Sequence, residues 1–186
     1  MSERILLIRH GELPEAFQGR FIGHTDAPLS EAGLAQCRQT LAGLSCDVLF
    51  SSPLLRARQT AACIRQDFLL EPRLAEMDFG QWDNLTFQEI EQQATPEQLS
   101  VWFQNTERMA FPDGESFPDF SRRVDSAFAS LAERAEKCVA AVTHGGVLMH
   151  ILSRLRDLPA SRMFECLPPR GSMVKLRNVN GIWREE

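Results

Sequence analysis

The residues Arg4-Ile5-Leu6-Leu7-Ile8-Arg9 run directly into His10-Gly11-Glu12, and this junction is the first indication of the fold. Four consecutive apolar residues between charged ones are typical of a short strand that is buried on both faces. Glycine just after the run favours a turn there. A buried strand of this kind predicts a parallel sheet that is covered by helices.

The next segments of the chain repeat the alternation of strand and helix. Ser30 is a plausible N-cap for a helix whose apolar positions are Leu34, Cys37, Leu41 and Leu44. Residues 47–50 form a second candidate strand, and Pro53 begins a predicted helix that extends to about Asp67. This order predicts parallel strands with helices packed on the sheet.

The C-terminal half returns to the same pattern. Residues 137–143 (KCVAAVT) predict a third buried strand, and residues 145–156 predict a helix that follows it directly. The tail resembles a hairpin, with strands over 172–177 and 182–183 joined by Asn178-Val179-Asn180-Gly181. We therefore expect an α/β fold: a three-layer sandwich with a mostly parallel central sheet and helices on both faces.

A small helical insertion is predicted over about 84–118. Thr86 and Thr95 each begin a capping-box pattern, and a longer helix is expected from about Ser116. An apolar stripe along that helix predicts core packing, and it consists of Phe117, Phe120, Val124, Phe128 and Leu131. Since no linker or repeat interrupts the chain, we expect a single domain over residues 1–186.

Composition excludes several classes of partner. The chain has 186 residues with a net charge of −5, which argues against non-specific binding to nucleic acid or to an anionic membrane. Five cysteines at wide spacings favour unpaired thiols in a reducing compartment. No signal peptide or membrane span is evident, so we expect a cytoplasmic protein. The sequence leaves the oligomeric state open, and a homodimer is compatible with it.

Unusual residues stand at three predicted strand ends. They are Arg9-His10-Gly11-Glu12, the stretch from Ser51 to Arg56, and Thr143-His144-Gly145-Gly146. Sites in open α/β sheets lie outside the carboxyl ends of the strands, so two histidines and two arginines are expected to converge there. Each of these residues alone has an ordinary structural explanation. Their conjunction favours a site.

This combination suits a phosphomonoester. Arginine supplies fixed positive charge and several donors to a phosphate dianion, and neutral imidazole can attack phosphorus as a covalent nucleophile. Gly11 allows close backbone approach to a ligand, and the free N–H groups of Gly145 and Gly146 at a helix start favour an anion. The sequence predicts a small phosphorylated metabolite as ligand, with no metal and no organic cofactor.

The chain resembles the histidine phosphatase superfamily, which includes cofactor-dependent phosphoglycerate mutases. The resemblance rests on the three strand-end segments together with Gly23-His24, residues 76–82 (EMDFGQW) and Gly114-Glu115-Ser116. It implies that His10 is the phosphorylated nucleophile and that Arg9, Arg56 and His144 bind the phosphoryl oxygens. It also implies that Glu76 is the general acid and base. The residues alone do not select Glu76 over Glu12 or Glu115.

Within the superfamily, residues 76–82 and the stretch from Asp113 to Val124 resemble α-ribazole phosphatase, an enzyme of cobalamin assembly. The short insertion favours hydrolysis, because an open pocket admits water. A phosphoglycerate mutase-like isomerase and an inactive phosphate-binding protein remain alternatives.

The chain departs from the family pattern at four positions. Leu13 and Ala16 replace a common Thr and a phosphate-contacting Asn, and Asp83-Asn84 replaces Glu-Gly. We predict that Gln18 supplies the missing amide donor. The alternative is that Gln18 is simply a loop residue.

Overall fold

Six strands and six α-helices follow one another along the chain. The computed structural model describes the backbone of residues 1–186 and every side chain except that of Phe103. The strands are β1 (Arg4–Arg9), β2 (Val48–Ser51), β3 (Leu69–Leu70), β4 (Cys138–Thr143), β5 (Met173–Val179) and β6 (Ile182–Glu185). The helices are α1 (Glu31–Thr40), α2 (Leu55–Ala62), α3 (Phe87–Glu91), α4 (Pro96–Gln104), α5 (Phe117–Ala132) and α6 (Gly145–Leu155).

All six strands belong to one sheet, in the order β3-β2-β4-β1-β5-β6. The block β3-β2-β4-β1 is parallel, whereas β5 and β6 are antiparallel to their neighbours. Parallel pairing of β1 with β4 places Arg9 opposite Thr143. The carboxyl ends of these two strands therefore meet at one edge, as the sequence predicted.

Two apolar layers sandwich the sheet, because successive side chains of a strand point to opposite faces. Ile5 and Leu7 of β1 are buried in the core that α5 and α6 cover. Leu6 and Ile8 are buried in the core that α1 and α2 cover. The predicted three-layer α/β fold with a mostly parallel sheet is confirmed.

The second helix is shorter than predicted. α2 begins at Leu55, after an N-cap at Leu54, and ends at Ala62 instead of continuing to about Asp67. The chain then turns back to form β3, which pairs with the last two residues of β2. A two-residue strand carries too little pattern to compete with the helical prediction. This missed strand is important because it leads toward Glu76.

The insertion forms the helices that its capping patterns predict. Both capping boxes are complete, at Thr86 for α3 and at Thr95 for α4. Ser116 caps α5, whose residues Phe117 and Phe120 are buried in the core. Within the described part of the chain, no helix has the length and apolar character that a membrane crossing requires.

Candidate active site

The ends of β1, β2 and β4 build the floor of a cavity. The N–H of His10 donates to the carbonyl of Thr143 at 3.0 Å, and the N–H of Ser52 donates to the carbonyl of Val142 at 2.9 Å. The rings of His10 and His144 consequently lie 5.2 Å apart, centroid to centroid. The sequence prediction that these segments converge is confirmed.

His10 is held with one ring nitrogen turned away from the cavity. Its Nδ1 lies 2.7 Å from the carbonyl oxygen of Gly11, and the residue is buried while still lining the cavity. Burial, together with the nearby charge of Arg56, holds the pKa of His10 well below 6.5. The imidazole is therefore neutral at pH 7. Nδ1 donates its proton to the carbonyl, and Nε2 keeps a free lone pair.

Gly11 sits against α1 instead of facing a ligand. Its N–H donates to the Thr60 hydroxyl at 3.1 Å, and a Cβ at this position would lie 2.6 Å from the Cys37 sulfur. The sequence suggested that the backbone at Gly11 approaches a ligand closely, but this backbone instead approaches α1. Gly11 thus fixes His10 through its carbonyl group.

His144 is fully buried and bonded on one side only. Its Nε2 lies 2.6 Å from the Ser52 hydroxyl, which also accepts from the N–H of Leu54. A hydroxyl that accepts from Leu54 can donate its own proton to Nε2, which leaves Nδ1 as the N–H donor. Nδ1 has no hydrogen-bond partner among the described residues. Burial and the charge of Arg56 also lower the pKa of His144 well below 6.5.

Arg56, in the first turn of α2, is a completely buried cation. Its guanidinium donates to the carbonyls of Ile22, Gly23 and Thr25 at 2.7–3.2 Å, while its Nε has no partner among the described residues. Burial lowers the pKa of Arg56, and the negative charge of Glu76 opposes that shift. A guanidinium fixed in this way presents positive charge without needing to reorganise.

Glu76 reaches the cavity from the segment after β3. Its two carboxylate oxygens accept from the backbone N–H groups of Met77 and Gly146, each at 3.0 Å. A Cβ at residue 146 would lie 2.4 Å from the carboxylate, so only glycine admits this contact. The expectation that the Gly146 amide is free for a ligand is wrong, because Glu76 occupies it.

The structure separates Glu76 from its two sequence alternatives. Glu76 is buried and lines the cavity beside His10, whereas Glu12 is exposed. Glu115 instead forms a salt bridge with Arg123, at 2.7 Å. Arg123 also donates to the carbonyl of Glu76, at 3.4 Å, so this pair supports the backbone that carries the carboxylate.

Three arginines line the cavity, namely Arg9, Arg20 and Arg170, and the sequence pattern points only to Arg9. Arg9 donates to the carbonyl of Pro168 at 2.6 Å and packs beside Gly145. Burial, followed by the charge of Arg170, lowers the pKa of Arg9 to about 10. Arg170 lines the same cavity. A lone arginine before the terminal hairpin carries no sequence signal of this role.

Gln18 does not line this cavity. Its amide nitrogen donates to the carbonyl of Leu13 at 3.1 Å, and its amide oxygen accepts from Arg170 at 3.0 Å. Leu13 itself is buried and forms part of the cavity wall. The geometry therefore connects Gln18 to the site through Arg170.

Above these polar groups the cavity is apolar. It has a volume of about 270 Å³. The large apolar side chains around it are Leu13, Phe21, Ile22, Met77, Phe79, Trp102, Met109, Phe111, Met149, Met163, Phe164 and Leu167. Phe164 and Leu167 are 51% and 45% exposed and form the rim. The cavity therefore combines cationic groups at one part with an apolar wall.

Two neutral histidines, several arginines and one carboxylate meet at the strand ends of this α/β sandwich. Such a site is typical of the class of proteins that bind phosphate esters. The family is shown directly by sequence comparison. The chain belongs to the histidine phosphatase superfamily (branch 1), whose family model matches residues 5–185, and it is a phosphatase.

Known relatives agree with this membership. An adenosylcobalamin/alpha-ribazole phosphatase of Escherichia coli K12 is 34% identical over 169 residues, which cover 87% of this chain and 83% of the relative. The crystal structure of the alpha-ribazole phosphatase from Shigella flexneri superposes with a TM-score of 0.86 at 29% identity, covering 98% of this chain and 94% of that one.

A more distant relative shows the breadth of the fold. A mycobacterial glucosyl-3-phosphoglycerate phosphatase, solved in complex with VO3, has a TM-score of 0.82 at 27% identity. It covers 100% of this chain, and the match extends over 98% of that structure. Phosphatases of different phosphorylated compounds therefore share this fold.

Proposed function

We propose that this chain hydrolyses phosphomonoesters through a covalent phosphohistidine at His10. The observation that carries the proposal is the state of the imidazole: buried, neutral, fixed at Nδ1 by Gly11, and lining the cavity with Arg9 and Glu76. A neutral imidazole held in one tautomer presents the lone pair of its other nitrogen for attack.

The reaction has two steps. Nε2 of His10 attacks phosphorus, the bond to the leaving oxygen breaks, and protonated Glu76 donates its proton to that oxygen. Water then attacks the phosphohistidine, Glu76 takes a proton from it, and the N–P bond breaks to release phosphate. Arg9, Arg56 and Nδ1–H of His144 bind the phosphoryl oxygens during both steps.

A histidine variant tests this mechanism. We expect His10→Ala to lower turnover of an aryl phosphate by at least about 10⁴-fold, because the nucleophile is lost. EDTA should leave the wild-type rate unchanged. Quenching the wild type during turnover of a ³²P-labelled substrate should trap one acid-labile, base-stable phosphoryl group per chain, and none in the variant. Activity that survived in a folded His10→Ala protein would exclude the mechanism.

For the substrate we propose α-ribazole 5′-phosphate or a closely related small metabolite. Two observations support this choice: the names of the relatives, and the apolar wall that surrounds the phosphate-binding groups. A benzimidazole base is flat and apolar, so it gains more from that wall than a polar sugar or glycerate does.

A substrate panel tests this choice. We expect kcat/KM for α-ribazole 5′-phosphate to exceed that for glycerol phosphate, AMP and 3-phosphoglycerate. Equal values across the panel would contradict the proposed substrate while leaving the phosphohistidine mechanism intact. Interconversion of phosphoglycerates that depends on added 2,3-bisphosphoglycerate would instead identify an isomerase.

We also propose a cytoplasmic location. All five cysteines are unpaired, namely Cys37, Cys46, Cys63, Cys138 and Cys166. Free thiols are stable in a reducing compartment, where small phosphorylated metabolites are also found. Fractionation of the producing cells, with the chain detected by an antibody, tests this location.

A further inference from the structure

Arg170 is anchored to the backbone of the proposed nucleophile. The N–H of the next residue, Gly171, lies 3.0 Å from the carbonyl of His10 and 3.2 Å from that of Arg9. Gly171 has a φ of 71°, in the left-handed region, and a Cβ there would crowd the Gln36 side chain at 3.1–3.3 Å. This glycine lets the chain place Arg170 directly beside the cavity.

A second contact fixes the guanidinium itself. One Nη of Arg170 donates to the amide oxygen of Gln18 at 3.0 Å. The amide nitrogen of Gln18 donates in turn to the carbonyl of Leu13, so the oxygen must face Arg170. A guanidinium carries five N–H donors, and this bond uses one of them.

The charge of Arg170 is not neutralised by the protein. Among the described residues, no carboxylate forms a salt bridge with Arg9, Arg56 or Arg170. Burial is the main cause of the lowered pKa of His10 and of Arg9, and the charge of Arg170 lowers both pKa values further, as expected of a neighbouring cation. Three clustered cations repel one another, and a bound dianion would relieve that repulsion.

We propose that Arg170 is a third guanidinium that binds the phosphoryl group, and that Gln18 positions it. The inference rests on the proposed function, because it takes His10 as the phosphoryl acceptor. It also changes the predicted role of Gln18, which acts through Arg170 and does not donate to phosphate itself. The ligand class is the tetrahedral oxyanion of a phosphate monoester or of inorganic phosphate.

Inhibition by inorganic phosphate and orthovanadate tests the proposal, since neither ion has a leaving group. We expect Arg170→Gln to raise both inhibition constants by roughly 10- to 100-fold, the effect of losing a hydrogen bond to a charged group. kcat/KM should fall by a similar factor for an aryl phosphate and for glycerol phosphate. Arg38→Ala removes an exposed arginine outside the cavity, so it should leave all of these values unchanged.

A double-mutant cycle tests the positioning role of Gln18. Gln18→Ala alone should raise the phosphate inhibition constant by a smaller factor, about 3- to 10-fold. In the Arg170→Gln background it should have no further effect, because the residue it positions is gone. Equal effects of Gln18→Ala in both backgrounds would exclude positioning.

Two outcomes would overturn the assignment of Arg170. One is unchanged inhibition constants in a folded Arg170→Gln protein. The other is a loss of kcat/KM confined to substrates with a large leaving group, which would place Arg170 on the leaving-group side. Neither result depends on whether α-ribazole 5′-phosphate is the substrate, and activity of His10→Ala is a separate test of the mechanism.

Discussion

The floor and the mouth of the cavity are built in different ways. The floor consists of His10 and Glu76, which line the cavity, and of Arg56 and His144, which are fully buried beside them. Each of these side chains is hydrogen-bonded to other residues of the protein. The mouth is lined by the apolar side chains of Phe21, Phe111, Met149, Met163, Phe164 and Leu167. Floor groups cannot move without breaking hydrogen bonds, whereas mouth groups can repack.

This difference separates chemistry from substrate choice. A preorganised polar floor stabilises charge where it develops and costs no reorganisation during the reaction. Methionine and aromatic side chains adapt to the shape of an apolar ligand. Changes in the floor should therefore reduce activity toward every substrate, and changes in the mouth should alter the ranking of substrates.

The largest effect in the floor, apart from removing His10, is expected for Glu76→Gln. A glutamine cannot donate a carboxylic proton to the leaving oxygen, so kcat/KM for α-ribazole 5′-phosphate, which reports on phosphoryl transfer to His10, should fall by about 10²- to 10⁴-fold. The fall should be smaller for 4-nitrophenyl phosphate, whose leaving group needs little protonation. Steady-state kinetics on both substrates measure the two factors.

A matched change outside the floor provides the control. Glu91 is exposed on α3, so Glu91→Gln should leave both rates unchanged. If Glu76→Gln lowered the two rates by the same factor, proton donation would not be its role. Glu76 would then act only on the hydrolysis of the phosphohistidine or through the backbone contacts of its carboxylate.

Much of the floor was predictable from the sequence because its residues stand at the ends of strong elements. β1 and β4 are continuous apolar runs, and the rule that sites lie at carboxyl ends of parallel strands brings His10 and His144 together. Arg56 follows from the helix start after β2. The fold class follows from the same alternation of elements.

The remaining parts depend on contacts that have no local pattern. Glu76 follows β3, a strand of only two residues with little sequence pattern, so the family resemblance was needed to select it. Gly146 resembles an anion site at a helix start, yet its N–H group donates to the carboxylate of Glu76. Arg170 lies far from His10 in sequence and is brought there by Gly171. Tertiary packing determines the position of Glu76, the partner of the Gly146 N–H group and the position of Arg170.

The neutrality of the floor histidines predicts a pH dependence of stability. The pKa values of His10 and His144 lie well below 6.5 in the folded state. Between those values and pH 6.5 the unfolded chain binds more protons, so stability should fall as the pH falls. Replacing His10 with Asn removes one such titrating group and should reduce the slope by at most about 1.4 kcal/mol per pH unit.

Urea unfolding at several pH values between 5 and 7 measures this slope. Phosphate buffers must be avoided, because phosphate would stabilise the folded state by binding. Arg38→Ala removes a charge without removing a group that titrates in this range, so it should keep the wild-type slope. Identical slopes for wild type and His10→Asn would show that folding does not lower the pKa of His10.

A smaller, substrate-selective effect is expected at the mouth. Phe164→Ala removes a rim aromatic, so KM for α-ribazole 5′-phosphate should rise by about 3- to 10-fold, the value of one aromatic contact. kcat/KM for glycerol phosphate should stay unchanged. Ile182→Ala is the control, since Ile182 is 58% exposed on β6 and does not line the cavity. Equal losses on both substrates would contradict the division between floor and mouth.

The smallest effect, a change in the free energy of unfolding, is expected in the segment that connects the floor with the mouth. Asn84 begins the insertion with a φ of 60°, and its N–H donates to the carbonyl of Phe21 at 2.7 Å. Asn84→Ala should lower the free energy of unfolding by about 1 kcal/mol, because alanine tolerates the left-handed region poorly. Asn84→Gly removes that strain and is the matched variant. Urea unfolding measures both.

Both Asn84 variants should hydrolyse glycerol phosphate at the wild-type rate, since the bonds of the floor do not involve this residue. Its neighbour Asp83 accepts from the N–H groups of Gly23 and Thr25, the same loop whose carbonyls bind Arg56. That loop connects position 84 to the floor. If kcat for glycerol phosphate fell in Asn84→Ala but not in Asn84→Gly, backbone strain at position 84 would reach the floor through this loop. The floor and the mouth would then not be independent.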